Sequence, residues 1–296
     1  LPKAVNPPNE ISFINALFTS TSAACVTGLT VVDTATFFSP FGKMIILFLI
    51  QLGGLGIISF TSFLALFFGR GVGVRERVLL RETLSIDNLS LIGKTLRKII
   101  ITVFSIELIG SVFLMIFWSN EGWSVGKLVF HSVFHSISAF CNAGFSTFTP
   151  NLVHYAENTG VVFTICLLII LGGIGFTVLM DLSIFKLIKD LRYKKPHFKL
   201  HTKVVLIATA VLIIAGTMAY MAIEKSWSYK GFLEGFFTSV TARTAGYNTI
   251  DMGSLSVAMS IAVIILMFIG ASPASTGGGI KTTTFAILWI SIFNII

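Results

Sequence analysis

Phe18-Thr19-Ser20-Thr21-Ser22-Ala23-Ala24-Cys25-Val26-Thr27-Gly28-Leu29-Thr30 is the first of three stretches in this sequence built on one plan. The second is Phe134-His135-Ser136-Ile137-Ser138-Ala139-Phe140-Cys141-Asn142-Ala143-Gly144-Phe145-Ser146. The third runs from Phe236 through Thr238, Thr241, Arg243, Thr244, Ala245 and Gly246 to Tyr247 and Asn248. Aligned on glycine, each has a phenylalanine ten residues earlier, small and hydroxyl residues between, and one bulky residue after. Each then leads into a long apolar span. Repetition on this scale predicts a fold assembled from like units that cover one another.

The solvent of those units follows from composition. Of 296 residues 54% are hydrophobic and only 11% charged, and the mean hydropathy is +0.90. Such a chain reads as an all-α integral membrane protein. The net charge of +8 does not point to nucleic acid, because the basic residues sit between apolar spans, where membrane topology accounts for them. Cys25, Cys141 and Cys166 make an odd set without disulfide or metal spacing, and the five histidines show no metal spacing either. No nucleophile–base or carboxylate pair recurs, so an enzyme is not expected.

Along the chain, a Pro-rich lead gives way to a short apolar run, Phe13 to Ala24. As a helix it spans about 18 Å against a hydrocarbon core of about 30 Å, so it can enter the membrane without crossing it. Phe41 to Phe68 is long enough to cross, with Gly53-Gly54-Leu55-Gly56 near its middle. A basic connector follows (Arg70, Arg75, Arg77, Arg81, Lys94, Arg97, Lys98), then a span from Ile99 to Trp118. The second short run, Leu128 to Phe140, precedes a crossing from Gly160 to Phe185 that carries Gly172-Gly173-Ile174-Gly175. A second basic connector (Lys186, Lys189, Arg192, Lys194, Lys195, Lys199, Lys203) leads to the span Val204 to Ile223 and the third short run, Tyr229 to Ala242. The last crossing begins near Leu255, breaks at Gly270-Ala271-Ser272-Pro273-Ala274-Ser275-Thr276-Gly277-Gly278-Gly279-Ile280-Lys281, and resumes from Thr284 to Ile296. Fourteen of the 21 basic residues lie in the two connectors, which places that side in the cytoplasm and the three glycines on the other.

A re-entrant helix feeding an extended, glycine-centred segment, repeated about an axis, builds a cation filter from backbone carbonyls that replace the ion's water shell. Glycine is needed because carbonyls can share one direction only if some residues take dihedrals closed to a side chain. The C-terminal ends of the short helices add partial negative charge. Carboxylates are sparse here, so a carboxylate ring is not the expected device. The break near Gly270 is tolerated at membrane depth only if buried in protein or lining water.

These residues carry a family resemblance. Val26-Thr27-Gly28-Leu29, Asn142-Ala143-Gly144-Phe145-Ser146, Arg243-Thr244-Ala245-Gly246-Tyr247-Asn248 and Ser275-Thr276-Gly277-Gly278-Gly279-Ile280-Lys281 resemble the Trk/Ktr/HKT superfamily of potassium transporters, above all its KtrB membrane-subunit branch. The resemblance implies M1-P-M2 units (span, pore helix with filter, span) around a pore that takes up potassium across the bacterial cell membrane. It implies filter segments at Val26, Thr27 and Gly28, at Asn142, Ala143 and Gly144, and at Thr244, Ala245 and Gly246. Potassium would sit on carbonyls near the three glycines. It further implies an intramembrane gating loop holding Gly270, Ser272, Ser275, Thr276, Gly277, Gly278, Gly279 and Lys281. As partners it implies a homodimer and a cytosolic, KtrA-like regulatory ring; nucleotide is bound by that ring, and no cofactor by this chain. The expected units are residues 1–69, 70–185 and 186–296. Four units make the family's ring, so the expectation is of a fragment lacking the first M1 and the fourth unit.

Several residues admit plainer readings. The glycine pairs at 53–54 and 172–173 read as helix-packing surfaces. Glu107 and Asp181 are intramembrane or interfacial acids, the first read as the cap of a hydroxyl network. Arg243 is expected to point behind the filter toward an acidic partner. The alternative function is a secondary transporter of another solute, which also uses broken helices. The shared orientation of the three copies favours the pore.

Overall fold

A computed structural model describes residues 2–7, 10–56, 92–182 and 198–295. Among them the chain is helical, with no strand and two isolated bridges, Val5–Phe38 and Ile269–Ile280. The first copy comprises α1 (Phe13–Ala24), the single turn α2 (Thr34–Phe37) and α3 (Pro40–Leu55). The second comprises α4 (Ile92–Phe117), α5 (Val125–Phe140), α6 (Thr159–Gly173) and α7 (Phe176–Asp181). The third comprises α8 (Leu200–Ile223), α9 (Tyr229–Thr241), α10 (Val257–Phe268) and α11 (Thr282–Ile295).

Local chemistry sets the helix starts. Ser39, Asn158 and Ser256 cap α3, α6 and α10 through side-chain oxygens that accept from Gly42, Val161 and Met259 N–H, and Pro40 at the first turn needs no donor there. The same kind of cap thus opens the span after each glycine motif. α4 and α8 are each long and apolar enough to cross a membrane. Their outward faces are bare hydrocarbon, as at Leu108 and Ile207, both 65% exposed. Water would not tolerate such a surface; lipid solvates it.

Packing repeats from copy to copy. α4 lies on α5 and α6, and α8 lies on α9, α10 and α11. α3 of the first copy packs on α5 of the second, and α6 of the second on α9 of the third. The core at these seams is apolar and closed, with Ile50, Phe134, Phe140, Ile165, Phe237 and Tyr247 almost fully buried.

The structure corrects several boundaries. In the span read from Phe41 to Phe68, α3 ends at Leu55 and Gly56 takes φ 77°; the rest of that span lies outside the described residues. The span read from Gly160 to Phe185 is two helices, separated at Gly175 with φ 94°. Both helix ends fall in the Gly-Gly-x-Gly clusters. Lys94, Arg97 and Lys98, assigned to the connector, stand in the first turns of α4, where long basic stems suit a helix and reach out of the apolar layer. The other connector residues up to Arg81, and Lys186 to Lys195, lie outside the described residues. The third span does break between Phe268 and Thr282, as expected from its composition.

Candidate functional site

Short helices α1, α5 and α9 end at three segments with one backbone pattern. Gly28, Gly144 and Gly246 have φ of 74°, 68° and 78°, and the residues two before them, Val26, Asn142 and Thr244, have φ of 56°, 57° and 73°. Asparagine tolerates the left-handed region, whereas β-branched Val26 and Thr244 are held there at a cost of about 1–3 kcal/mol each. Nothing in the sequence marked those three as left-handed, because only glycine advertises it. Two left-handed residues alternating with a third turn successive carbonyls toward one side.

A hydroxyl fixes each turn. Ser22 Oγ donates to Leu29 O at 2.7 Å, Ser138 Oγ to Phe145 O at 2.9 Å and Thr241 Oγ1 to Tyr247 O at 2.7 Å. Main-chain bonds from Thr27 N to Ser22 O, Ala143 N to Ser138 O and Ala245 N to Thr241 O close the same loops. The third loop is one residue shorter than the other two. Aligned on the hydroxyl anchors, the counterpart of Phe134 is therefore Phe237, also fully buried, and not Phe236 as glycine alignment has it. Between copies, Tyr247 OH donates to Phe145 O at 2.9 Å.

The segments lie against one another in chain order. A Cβ on Gly28 would come 2.5 Å from Ala143 O, and one on Gly144 2.6 Å from Ala245 O. All three glycines border one cavity of about 450 Å³, with Asp33, Ser146 and Asn248 in its wall. A second cavity, of about 750 Å³, lies between Val26, Gly28, Thr244 and Gly246 on one side and Thr276, Gly277 and Gly278 on the other.

Residues 269–281 fold into a compact plug rather than an open loop. Gly270 N donates to Ile280 O and Ala271 N to Gly278 O, both at 3.0 Å. Ser275 Oγ donates to Ser272 O, and the Ser272 and Thr282 hydroxyls pair at 2.8 Å. The break between α6 and α7 meets it: Ser272 N donates to Gly173 O at 2.9 Å and Phe176 N to Ala274 O at 2.7 Å. Thr276 Oγ1 donates to Phe140 O, the C-terminal carbonyl of α5, at 3.1 Å. Lys281 Nζ donates to Gly277 O at 2.8 Å. The backbone groups freed by two interrupted helices thus satisfy each other, as burial at this depth requires.

The glycine pairs do serve close contact, but against the C-terminal ends of the short helices α1 and α5. Gly54 faces Cys141, Gly53 faces Ala24 O, and Gly172 faces Phe140 O, where a Cβ would overlap the carbonyl. Asn142, with its amide nitrogen turned inward, donates to Ala139 O at 3.1 Å and Ile169 O at 3.2 Å. Glu107, 3% exposed, accepts from Gln51 Nε2 at 3.0 Å, and its main-chain carbonyl accepts from Ser111 and Ser136 hydroxyls. The network tying α3, α4 and α5 is therefore partly the one expected. Asp181 accepts from Thr202 Oγ1 at 2.8 Å and Lys199 N at 3.1 Å, which caps α8. Arg243 lines neither cavity, in keeping with the reading that it points behind the filter. The acidic partner is not found among the described residues: its Nη2 reaches the Thr209 hydroxyl at 3.5 Å. His131 and His135 belong to an aromatic cluster with Trp118, Trp123 and Phe148.

Comparison with known proteins agrees with this geometry. The TrkH family, described as cation transport protein, matches residues 3–294. The Ktr system potassium uptake protein B of Bacillus subtilis is 40% identical over 303 residues, covering 97% of this chain and 65% of that protein. Its namesake in Vibrio alginolyticus is 38% identical, covering 96% and 63%. The potassium/sodium uptake protein NtpJ of Enterococcus hirae is 38% identical, covering 95% and 62%. The chain thus spans less than two thirds of the length of these relatives. The solved potassium transporter TrkH from Vibrio parahaemolyticus shares the fold, with a TM-score of 0.71 at 20% identity over 94% of this chain and 54% of that one. With a family match from end to end and relatives at up to 40% identity, the chain belongs to the TrkH family of cation transport proteins.

Proposed function

We propose that this chain forms wall segments of a potassium-selective pore for uptake across the bacterial cell membrane. In this reading Val26-Thr27-Gly28, Asn142-Ala143-Gly144 and Thr244-Ala245-Gly246 are three filter strands; residues 1–69 supply pore helix, filter and M2 of one unit, and residues 70–185 and 186–296 are successive M1-P-M2 units. The observation that carries it is the left-handed, intervening, left-handed turn built three times, with all three glycines on one cavity. Carbonyls so aimed can replace the hydration shell of a desolvated cation, and the ends of α1, α5 and α9 add negative potential beneath them. The relatives named for potassium uptake support the choice of ion.

Residues 270–281 act as the gate in this proposal. Thr276, Gly277 and Gly278 of this segment line the larger cavity opposite the glycine segments. A ring of nucleotide-binding regulatory subunits docked on the cytoplasmic connectors of a homodimer would shift that plug. Potassium and sodium uptake into liposomes by the protein and by Gly28→Ser, Gly144→Ser and Gly246→Ser variants tests the filter. A lowered potassium-to-sodium ratio is expected in each, and an unchanged ratio in all three overturns it.

A further inference from the structure

A separate cavity of about 530 Å³ lies at the outward end of the seam between the first and second copies. Its walls include Lys43 on the first turn of α3, Lys127 and His131 on α5, and Trp123, Phe130 and Phe148. No carboxylate lines it. Lys43 Nζ donates to the Ala35 carbonyl at 2.7 Å, and Lys127 Nζ sits 5.5 Å over the Trp123 ring. Asp33 is the carboxylate that acts on Lys43, but its two oxygens accept from Ala35 N and from the Thr149 hydroxyl. His131, 7% exposed, bonds Thr147 Oγ1 through Nδ1, and Nε2 has no partner among the described residues. With the threonine hydroxyl donating, Nε2 carries the hydrogen.

Three donors, two of them cations, therefore converge on a space that supplies no anion. The distribution of charge sharpens the point. Outside the connectors, and apart from Arg243 and Lys281, the sequence has five basic residues: Lys3, Lys43, Lys127, Lys225 and Lys230. Lys230 pairs with Glu157 at 2.9 Å. Two of the remaining four share this one cavity, although the outward side of a membrane protein is where lysine is least favoured.

We propose that this cavity binds the phosphodiester headgroup of an anionic phospholipid in the outer leaflet. Lys43, Lys127 and His131 Nε2 take the phosphate oxygens, and Trp123 marks the headgroup depth. Phe41 and Met44, outside the cavity and each 54% exposed in the same first turns of α3, offer apolar surface for the acyl chains. An inorganic phosphate would use the same donors but gain nothing from that surface.

The purified chain in neutral detergent, titrated with phosphatidylglycerol or phosphatidylcholine of matched acyl chains and read by native mass spectrometry, tests this. Phosphatidylglycerol is expected to bind more tightly, with the preference falling about fivefold for each lysine removed and about thirtyfold in K43Q/K127Q. Lys225→Gln, an outward lysine away from the cavity, keeps the preference. Lys127 is exposed, so K127Q alone provides a variant whose folding does not depend on the changed group. Equal binding of the two lipids by the unmodified protein, or a preference that survives K43Q/K127Q, overturns the site. Lysine-dependent binding of inorganic phosphate without any lipid preference overturns the lipid as its ligand. Potassium flux does not enter the readout, so the result is independent of the pore proposal.

Discussion

Alanine at Gly28, Gly144 or Gly246 must adopt φ near 70°, which costs about 1–2 kcal/mol in a left-handed residue. The surroundings then separate the three. The added Cβ meets Ala143 O at 2.5 Å in the first case and Ala245 O at 2.6 Å in the second, whereas at Gly246 its nearest neighbour is Gly144 Cα at 3.5 Å. Main-chain oxygens of a packed filter cannot yield as a side-chain tip could. Gly28→Ala and Gly144→Ala are therefore expected to lower the potassium-to-sodium uptake ratio more than Gly246→Ala. Equal losses across the series would contradict the order. The glycines themselves were plain in the sequence. Their partners at Val26 and Thr244 were not, since a β-branched residue is the last that propensity would assign to that backbone.

At the scale of elements, hydroxyl residues in the short helices proved to have a specific task that repetition alone only hinted at. Ser138→Ala removes the bond to Phe145 O, worth about 1 kcal/mol, and should loosen the second filter segment. Thr241→Ser keeps its hydroxyl and should be nearly silent. Thermal unfolding in detergent together with the ion ratio separates the two, and equal behaviour of both variants would count against the anchoring role. Glu107→Ala leaves the Gln51 amide buried without its acceptor, at about 1–3 kcal/mol, so its midpoint should fall more than that of Glu107→Gln. Hydropathy read each span after a glycine motif as continuous except the last. The second breaks at Gly175 as well, because apolar content is the same on both sides of a short turn. The larger break was legible from its length and its run of Gly and Ser. Deletion of Ser275 to Gly279 removes the Thr276 bond to Phe140 O and the carbonyl that holds Lys281. Potassium flux should rise at unchanged selectivity, and flux that stays at the original level would leave the plug a packing feature only.

Across the whole molecule, the order of helices was readable because lipid permits few solutions. Arg243 shows the reverse: the sequence demanded a counter-charge that the described residues do not contain, and there the guanidinium has only the Thr209 hydroxyl at 3.5 Å, with Nε unpartnered. Cys25 offers a test at this scale. It is exposed on the larger cavity beside Thr276 and Gly277, while Cys141 and Cys166 are buried. A charged thiol reagent should therefore modify Cys25 from the cytoplasmic side, and faster once Ser275 to Gly279 are deleted. Labelling from the outer side alone would reverse the orientation argued from the connectors. If the proposed regulatory ring docks on the connectors, charge reversal at Arg75, Arg77, Lys194 and Lys195 should weaken that docking without altering the ion ratio, and co-purification at the original yield in moderate salt would refute it.

The interruptions after the second and third glycine motifs are unequal: a short gap at Gly175 and a plug of about a dozen residues at 269–281. In an assembly of identical chains, a change to one wall is a change to every wall. Tandem copies within one polypeptide escape that constraint. Mutation could enlarge the third interruption while the second stayed tight, so in the proposed pore the passage need not dilate evenly to open. It can be worked from one side, like a door hung on a fixed frame.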